Sequence, residues 1–527
     1  MIRLFLPVGA ALLVAPSFAQ AATCSFIYGT NTSAYCGSGV FSGFDLSGYS
    51  DTSVLVSAAA TTGAIDAGED AIVVVNGTVD GGLTTEGYSY VFTRDGSEIA
   101  SDTAVTMARG IMHSYGTISG GSYAFDLDGG NSYGGEVYSY GDVSADVAVT
   151  GSGYADFYGP VTVSDHLAVA EEGDSLSAVF TDFTASSNQS LGVVETGGYL
   201  SLYLANMGGS SYSAPLLTGG GNGSLTISRS TDVSVTSGDV IDTDSYATLT
   251  LYNSGVSATN GGIVDTDGTA YVYVYVYGYD SSMESSGDAV VGNAVAVRGD
   301  NLDISSANGT AIKATSTSTG AVTVDDSYYN SAGFSGSITG QVAISGGASG
   351  MDSLNFTSDV SITGLSGTAV ELFGGDDEVT IGAGATLVGD FYLGDGADTL
   401  TITGTSATGW LDSVFYGGDS ADDTDTLWFE GYADDAFTST FDTVSLIMTY
   451  VFEDGFSIMF SGFESILFGV TTTETAAGDS YAMDPLTGET TNLSAVPVPA
   501  AMWLFGSALA LLGLARRRRS RPAMAAA

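Results

Sequence analysis

A short signature recurs along this chain and narrows its possible folds more than any other feature: a glycine, a small or polar residue, then aliphatics. It occurs as Gly238-Asp239-Val240-Ile241, Gly262-Ile263-Val264, Gly287-Asp288-Ala289-Val290, Gly309-Thr310-Ala311-Ile312 and Gly367-Thr368-Ala369-Val370, with successive glycines 24, 25, 22 and 58 residues apart. A tighter version runs Gly374-Gly375-Asp376-Asp377-Glu378-Val379-Thr380-Ile381, then Gly394-Asp395-Gly396-Ala397-Asp398-Thr399-Leu400-Thr401-Ile402. A third copy, Gly417-Gly418-Asp419, leads into Asp425-Thr426-Leu427-Trp428-Phe429. Asp377 to Asp398 spans 21 residues, and Asp398 to Asp425 spans 27. Self-similarity at such a period marks a repeat architecture, in which each unit buries its apolar face only against its neighbours.

Between residues 50 and 470 helical periodicity is almost absent. Short apolar or alternating runs are broken by Gly, Asp, Asn and Ser clusters, the punctuation of strands and turns. The expected fold is therefore all-β: a right-handed parallel β-helix (a β-solenoid) with capped ends, plus one short C-terminal hydrophobic helix. Propellers and sandwiches do not explain so short a period. Residues 50–470 would supply roughly 17 to 20 coils, a stack of roughly 80 to 95 Å at the ~4.8 Å strand spacing. The clearest strand is Tyr271-Val272-Tyr273-Val274-Tyr275-Val276-Tyr277. Alternation puts its valines on one face and its tyrosines on the other. Burying the valines leaves a tyrosine row outside. That row is either ordinary outward strand residues or a surface that stacks on sugars or docks a partner.

A solenoid must cover its terminal rungs. Cys24 and Cys36, the only two cysteines, lie twelve residues apart. In an exported chain they are expected to pair as one disulfide closing the N-terminal end, the alternative being two free thiols. At the other end "VSLIMTYVFEDGFSIMFSGFESILF", residues 444–468, reads as terminal strands closing the core. Residues 1–21 read as a secretory signal for signal peptidase: Arg3, an apolar core over 4–14, and Ala19-Gln20-Ala21 as the small-x-small cut. The expected organisation is 1–21 signal peptide, 22–49 N-terminal cap with disulfide, and 50–365 β-helix body. Then follow 366–470 as acidic Gly/Asp-rich coils with the C-terminal cap, 471–495 as a polar linker, and 496–521 as a sorting segment.

Charge sets limits on partners. The chain carries 60 acids against 11 bases, for a formal net charge of −49. Arg3 and the C-terminal Arg516, Arg517, Arg518, Arg519 and Arg521 leave five bases against all 60 acids, a net of −55 between the two termini. Such a surface repels nucleic-acid phosphates and anionic headgroups, attracts divalent cations and keeps a protein soluble. With 44% of residues hydrophobic, a core can still form.

The C-terminal stretch "VPVPAAMWLFGSALALLGLARRRR" begins with Val496-Pro497-Val498-Pro499-Ala500. The 16 apolar residues from 500 to 515 make about 24 Å of helix, less than the usual span of about 20 residues, which suits transient membrane contact better than a permanent anchor. The arginines 516–519 would stay cytoplasmic. The proline motif, apolar helix and arginine cluster, in this order, resemble the VPLPA-CTERM sorting signal, a variant of the PEP-CTERM class handled by exosortases in Gram-negative bacteria. Val stands here in place of Leu. The resemblance implies cleavage near the proline motif by an exosortase-type enzyme, followed by release or attachment at the cell surface. Residues 366–470, with "GTAVELFGGDDEVTIGAGATLVGDFYLGDGADTL" and "FSGFESILFG", resemble passenger β-helices of autotransporter adhesins and hemolysin-like surface proteins.

Chemistry is less marked. No cofactor is required by any motif. Asp376, Asp377, Asp395, Asp398, Asp419, Asp422, Asp423 and Asp425 are candidate calcium ligands, since calcium prefers hard oxygens. The segments are similar to the calcium-binding nonapeptide of RTX proteins, but an interval of 21 or more does not set up its shared ligands. The other reading is that Asp and Gly simply favour these turns. His113 and His166 have no nucleophile motif nearby and read as structural. The leading expectation is a noncatalytic, adhesin-like protein of the extracellular matrix or envelope that binds polysaccharide or itself. The alternative is a polysaccharide lyase or glycoside hydrolase, which needs paired carboxylates. A groove with two or three acids beside Arg94, Arg109, Arg229 or Arg298 would mark it.

Overall fold

The computed structural model describes residues 24–27, 32–127, 134–230, 232–266, 270–277, 281–316, 321–325, 333–406, 409–418, 423–432, 437–469, 480–483 and 490–492. They contain no helix, and their parallel strands form a β-solenoid of about 16 turns. That is slightly fewer than expected because several coils are long. The spacing between equivalent aspartates runs 25, 21, 27 and, to the equivalent glutamate, 39 residues along the last coils. The 58-residue gap between Gly309 and Gly367 holds two coils: Ile312, Ile344 and Val370 stand one above another.

The core follows from alternation. Leu249, Val274, Val297 and Val324 form one inward column across four parallel strands, all buried. In strand Tyr271–Tyr277 the three valines are buried and the tyrosines face outward. Each fully buried aliphatic side chain contributes roughly 1.5 to 3 kcal/mol of transfer free energy, so a column repeated coil after coil fixes the register. A slip by one residue would turn the valines out and the tyrosines in.

Two compact units are distinguished, Met1–Asn206 with Gly219–Gly221, and Met207–Thr218 with Asn222–Ala527. In the first, Phe125, Phe157 and Phe180 stack inside, with ring centroids 5.7 and 4.6 Å apart. The strand Ser25–Ile27 runs antiparallel to Ser33–Cys36, and Cys24 and Cys36 form a buried disulfide at this end. In the second, the hairpin Phe437–Asp442 and Ile447–Phe452 lies antiparallel on Ser457–Ser461. Its rings close over the last coils: Phe429 stacks on Phe468 at 5.2 Å and meets Phe452 at 5.1 Å, and Phe437 stacks on Tyr450 at 4.3 Å.

Three expectations need correction. The boundary placed at 365/366 falls inside strand Ser361–Glu371, because composition shifts in the turns while the strand carries on. Val444, read as part of the closing strands, is 91% exposed at the hairpin turn. The stretch 471–495 carries two short strands, Ser480–Met483 and Thr490–Asn492, paired antiparallel onto Ser465–Gly469 and onto each other. Ala19, Ala21, Val496, Pro497, Val498, Pro499, Ala500 and Arg516 to Arg519 lie outside the described residues, as does the expected C-terminal helix. Among the described residues no helix is long and apolar enough to cross a membrane.

Candidate functional site

The repeated aspartates do not share one environment. Asp377, Asp398 and Asp425 each immediately precede a strand, as do Asp352 one coil earlier and Glu464 one coil later. The four aspartates stand in one buried column, none more than 2% exposed. Each acid from Asp377 to Glu464 accepts the backbone N–H of its counterpart in the preceding coil: Asp352 N to Asp377 Oδ1 at 2.7 Å, Asp377 N to Asp398 Oδ1 at 2.8 Å, Asp398 N to Asp425 Oδ1 at 2.9 Å, and Asp425 N to Glu464 Oε2 at 2.9 Å. Asp352 itself accepts from Val322 N. The second oxygens of Asp377 and Asp398 are buried without a hydrogen-bond partner. Glycine makes the room: a Cβ on Gly417 would sit 2.8 Å from Asp425 Oδ2.

Burial pushes all four carboxyls up, Asp352 to about 7, Asp377 to about 8, Asp398 to about 6 and Asp425 to about 7. The accepted N–H groups pull the other way, and the neighbouring acids, including Asp376, Asp395, Asp423 and Glu464, push further up. These effects follow from desolvation and like charge, the two causes that favour a neutral carboxyl.

The outer aspartates tie turns together. Asp376 Oδ1 accepts Ala397 N at 3.0 Å, and Asp423 Oδ2 accepts Gly396 N at 2.9 Å. Asp395 lies on the turn that bridges to Gly374. Asp419 and Asp422 are outside the described residues. Thus the eight candidate calcium ligands divide into a buried column, an outer turn series and two undescribed positions. Among the described residues no group of three or more acidic, histidine or cysteine side chains is placed to hold a metal ion.

A second feature lies between residues 239 and 315. An open groove of about 630 Å³ is lined by Asp239, Asp265, Asp288 and Lys313, over a floor of Gly261, Gly262 and Gly287. The Asp288 carboxylate accepts Thr310 N at 2.6 Å through Oδ1 and pairs with Lys313 Nζ at 2.8 Å through Oδ2. Asp239 accepts Gly262 N. Successive coils bring these residues side by side: Ile241, Val264, Val290 and Ile312 stack beneath them in register. Arg94, Arg109, Arg229 and Arg298 do not line the groove. Of the histidines, His113 stacks on Tyr138 at 5.2 Å, and His166 Nδ1 donates to the Ser190 carbonyl at 2.6 Å.

Tyrosines form columns of their own. Tyr115, Tyr140 and Tyr158 stack with centroids 4.8 Å apart and planes within 10°. Tyr252 stacks on Tyr277 at 4.9 Å, and Tyr392 on Tyr416 at 4.7 Å. Of the Tyr271–Tyr277 row, Tyr277 thus has one ring face covered by Tyr252, while Tyr271 is exposed.

Two parts of these sites went unread in the sequence. Asp352 follows Gly350-Met351 and precedes Ser353-Leu354, so a single Asp 25 residues before Asp377 was the available signal. Asp239 and Asp288 sat within the recurring signature, but nothing local showed that they meet Asp265 and Lys313. Comparison with known protein families, with curated proteins and with solved structures finds no match to this chain.

Proposed function

We propose that this chain is an exported, noncatalytic β-solenoid scaffold, displayed at the cell surface or released into the extracellular matrix. The observation that carries this reading is the columnar order of its exterior. Outward tyrosines repeat from coil to coil as stacked columns within each unit, so each unit presents periodic rows for contact. The buried Cys24–Cys36 disulfide supports an oxidising compartment. The net charge of −49 supports a soluble, nucleic-acid-averse surface. The resemblance of residues 496–519 to an exosortase sorting signal supports display after processing. Mass spectrometry of the protein recovered from its native cell tests this: the N-terminus should begin just after Ala21 and the chain should end near Pro499. An intact C-terminus in the cytoplasmic fraction would overturn the proposal.

The groove favours a second reading, a polysaccharide-active enzyme, because three carboxylates and an ammonium line one concavity. It stands second because Lys313 is already held by Asp288 rather than free to take a proton. Product release from a panel of uncharged and amino-bearing polysaccharides, abolished by Asp265→Asn, would raise it to first. Turnover unchanged in that variant would detach activity from the groove.

A further inference from the structure

Within the first unit, one outward sheet face departs from the acidic character of the rest. Its strands stack in parallel from Ser33–Cys36 through Ser53–Val56, Ile72–Val75, Leu83–Thr93, Glu98–Ser114 and Gly135–Ser139 to Gly153–Phe157. Register sets one outward row as Tyr35, Leu55, Val74, Phe92, His113 and Tyr138. The row beside it holds Ile72, Tyr90 and Ile111. A third row, Tyr115, Tyr140 and Tyr158, flanks them. Several of these side chains are half exposed: Ile72 54%, Tyr90 52%, Tyr35 50% and Tyr158 49%.

Only two acids sit among the outward positions of the last two strands, and phenols cover both. Tyr138 Oη donates to Glu136 at 3.2 Å, and Tyr154 Oη donates to Asp156 at 3.4 Å. Asp156 is 6% exposed. Burial and the Asp156 carboxylate hold the Tyr154 phenol up at about 12, and its hydrogen bond to Asp156 holds Tyr158 there as well. These phenols therefore stay neutral donors. On a molecule with 60 acids, an apolar face with its acids screened is not accounted for by solubility. Contiguous exposed apolar surface of several hundred Å² marks an interaction site.

We propose that this face is where a second copy of the chain docks, sheet against sheet. Charge favours that occupant: two copies at −49 each repel least where acids are fewest, and here Asp156 is buried while the half-buried Glu136 accepts a phenol's hydrogen bond. Periodicity favours it too. The rows repeat at 4.8 Å along Tyr115, Tyr140 and Tyr158, and a second copy brings rows with the same repeat. A saccharide fits less well on the third row, because Tyr140 has one ring face against Tyr115 and the other against Tyr158. Seven rungs at about 4.8 Å and two to three outward positions of about 7 Å each give a face on the order of 500 Å² in projection. That is near the lower end of a standard half-interface, which predicts a weak, micromolar dimer. The inference deepens the scaffold reading by naming its contact, yet holds in solution wherever the protein resides.

Sedimentation of the purified full chain tests it. The chain should dimerise at about 1 to 100 µM, more tightly at about 0.5 M than at about 0.05 M salt, because screening removes like-charge repulsion. Tyr90→Glu and Tyr140→Glu, which add to the repulsion, should each weaken association at least about tenfold, with the β fold retained by far-UV circular dichroism. A monomer throughout that range overturns the proposal. So does association that both variants leave intact, which would place the contact elsewhere. Dissociation of the dimer by an uncharged polysaccharide that protects Tyr90 and Tyr140 would reassign the face to sugar. Failure of the processing test above would leave this result untouched.

Discussion

Raising the pH should loosen the coils that carry the aspartate column, and the direction follows from the structure. Asp352, Asp377, Asp398 and Asp425 have carboxyls raised from 3.8 to between about 6 and about 8. A raised carboxyl binds more protons folded than unfolded between its two values. Stability is therefore full below about 4, and falls as pH climbs through the folded value. Asp425 alone, moved from 3.8 to about 7, corresponds to on the order of 4 kcal/mol at about 1.4 kcal/mol per pH unit. The four carboxyls interact, so they titrate together as a column and their effects do not simply add.

Urea unfolding between about pH 4 and about pH 9, with hydrogen exchange followed over residues 352–469, measures the effect. Exchange protection in these coils should drop progressively from about pH 4 to about pH 8, the span between the unfolded value and the highest folded one, and then level off, while the coils of the first unit change little. Asp398→Asn keeps an oxygen that accepts the bond now donated by Asp377 N to Asp398 Oδ1 and cannot ionise. It should flatten the pH slope and be more stable than the parent at pH 9. A flat or rising profile in the parent, or an unchanged slope in the variant, would refute the reasoning. Millimolar calcium is an informative control: loss of the slope on its addition would mean that a cation, rather than protons, neutralises the column.

Three further outcomes are expected. Phe429→Ala should cost about 3 to 5 kcal/mol, read by urea unfolding, with the lost protection confined to the C-terminal coils because each coil leans only on its neighbours. Replacing Cys24 and Cys36 together by serine should cost about 3 kcal/mol for so short a loop, seen as early exchange in the first strands. Lys313→Ala should change stability by less than about 1 kcal/mol, since the Lys313–Asp288 pair is partly exposed. A larger loss in that variant's melting curve would show that the pair holds adjacent coils together.

What the sequence disclosed depended on whether the information was local. Alternation alone placed Val272, Val274 and Val276 inside and their tyrosine neighbours outside, because one strand contains the whole pattern. The spacing from Asp377 to Asp398 to Asp425 equalled the coil length, since each Asp occupies the same turn of its coil. It did not show that these side chains point inward while Asp376 and Asp423 stay at the turns. That distinction rests on which of two adjacent residues meets the next coil's N–H. The groove was further out of reach: Asp239, Asp265, Asp288 and Lys313 converge only once coils of unequal length are stacked in register. The apolar face was hidden for the same reason, its rows being assembled one residue per strand from seven strands.

The C-terminal hairpin shows how forgiving a corner of this coil can be. The coil from Asp425 to Glu464 takes 39 residues because the hairpin is set into it between the ladder strands Thr426–Glu430 and Ser457–Ser461, yet Leu427 still stands over Ile466 and Phe429 over Phe468. A folded insert thus leaves and re-enters without disturbing the rungs on either side. The corner behaves as a socket: foreign sequence grafted at the exposed Val444 turn would be carried outward on a stiff stem. The rungs beneath would neither sense its length nor need its sequence.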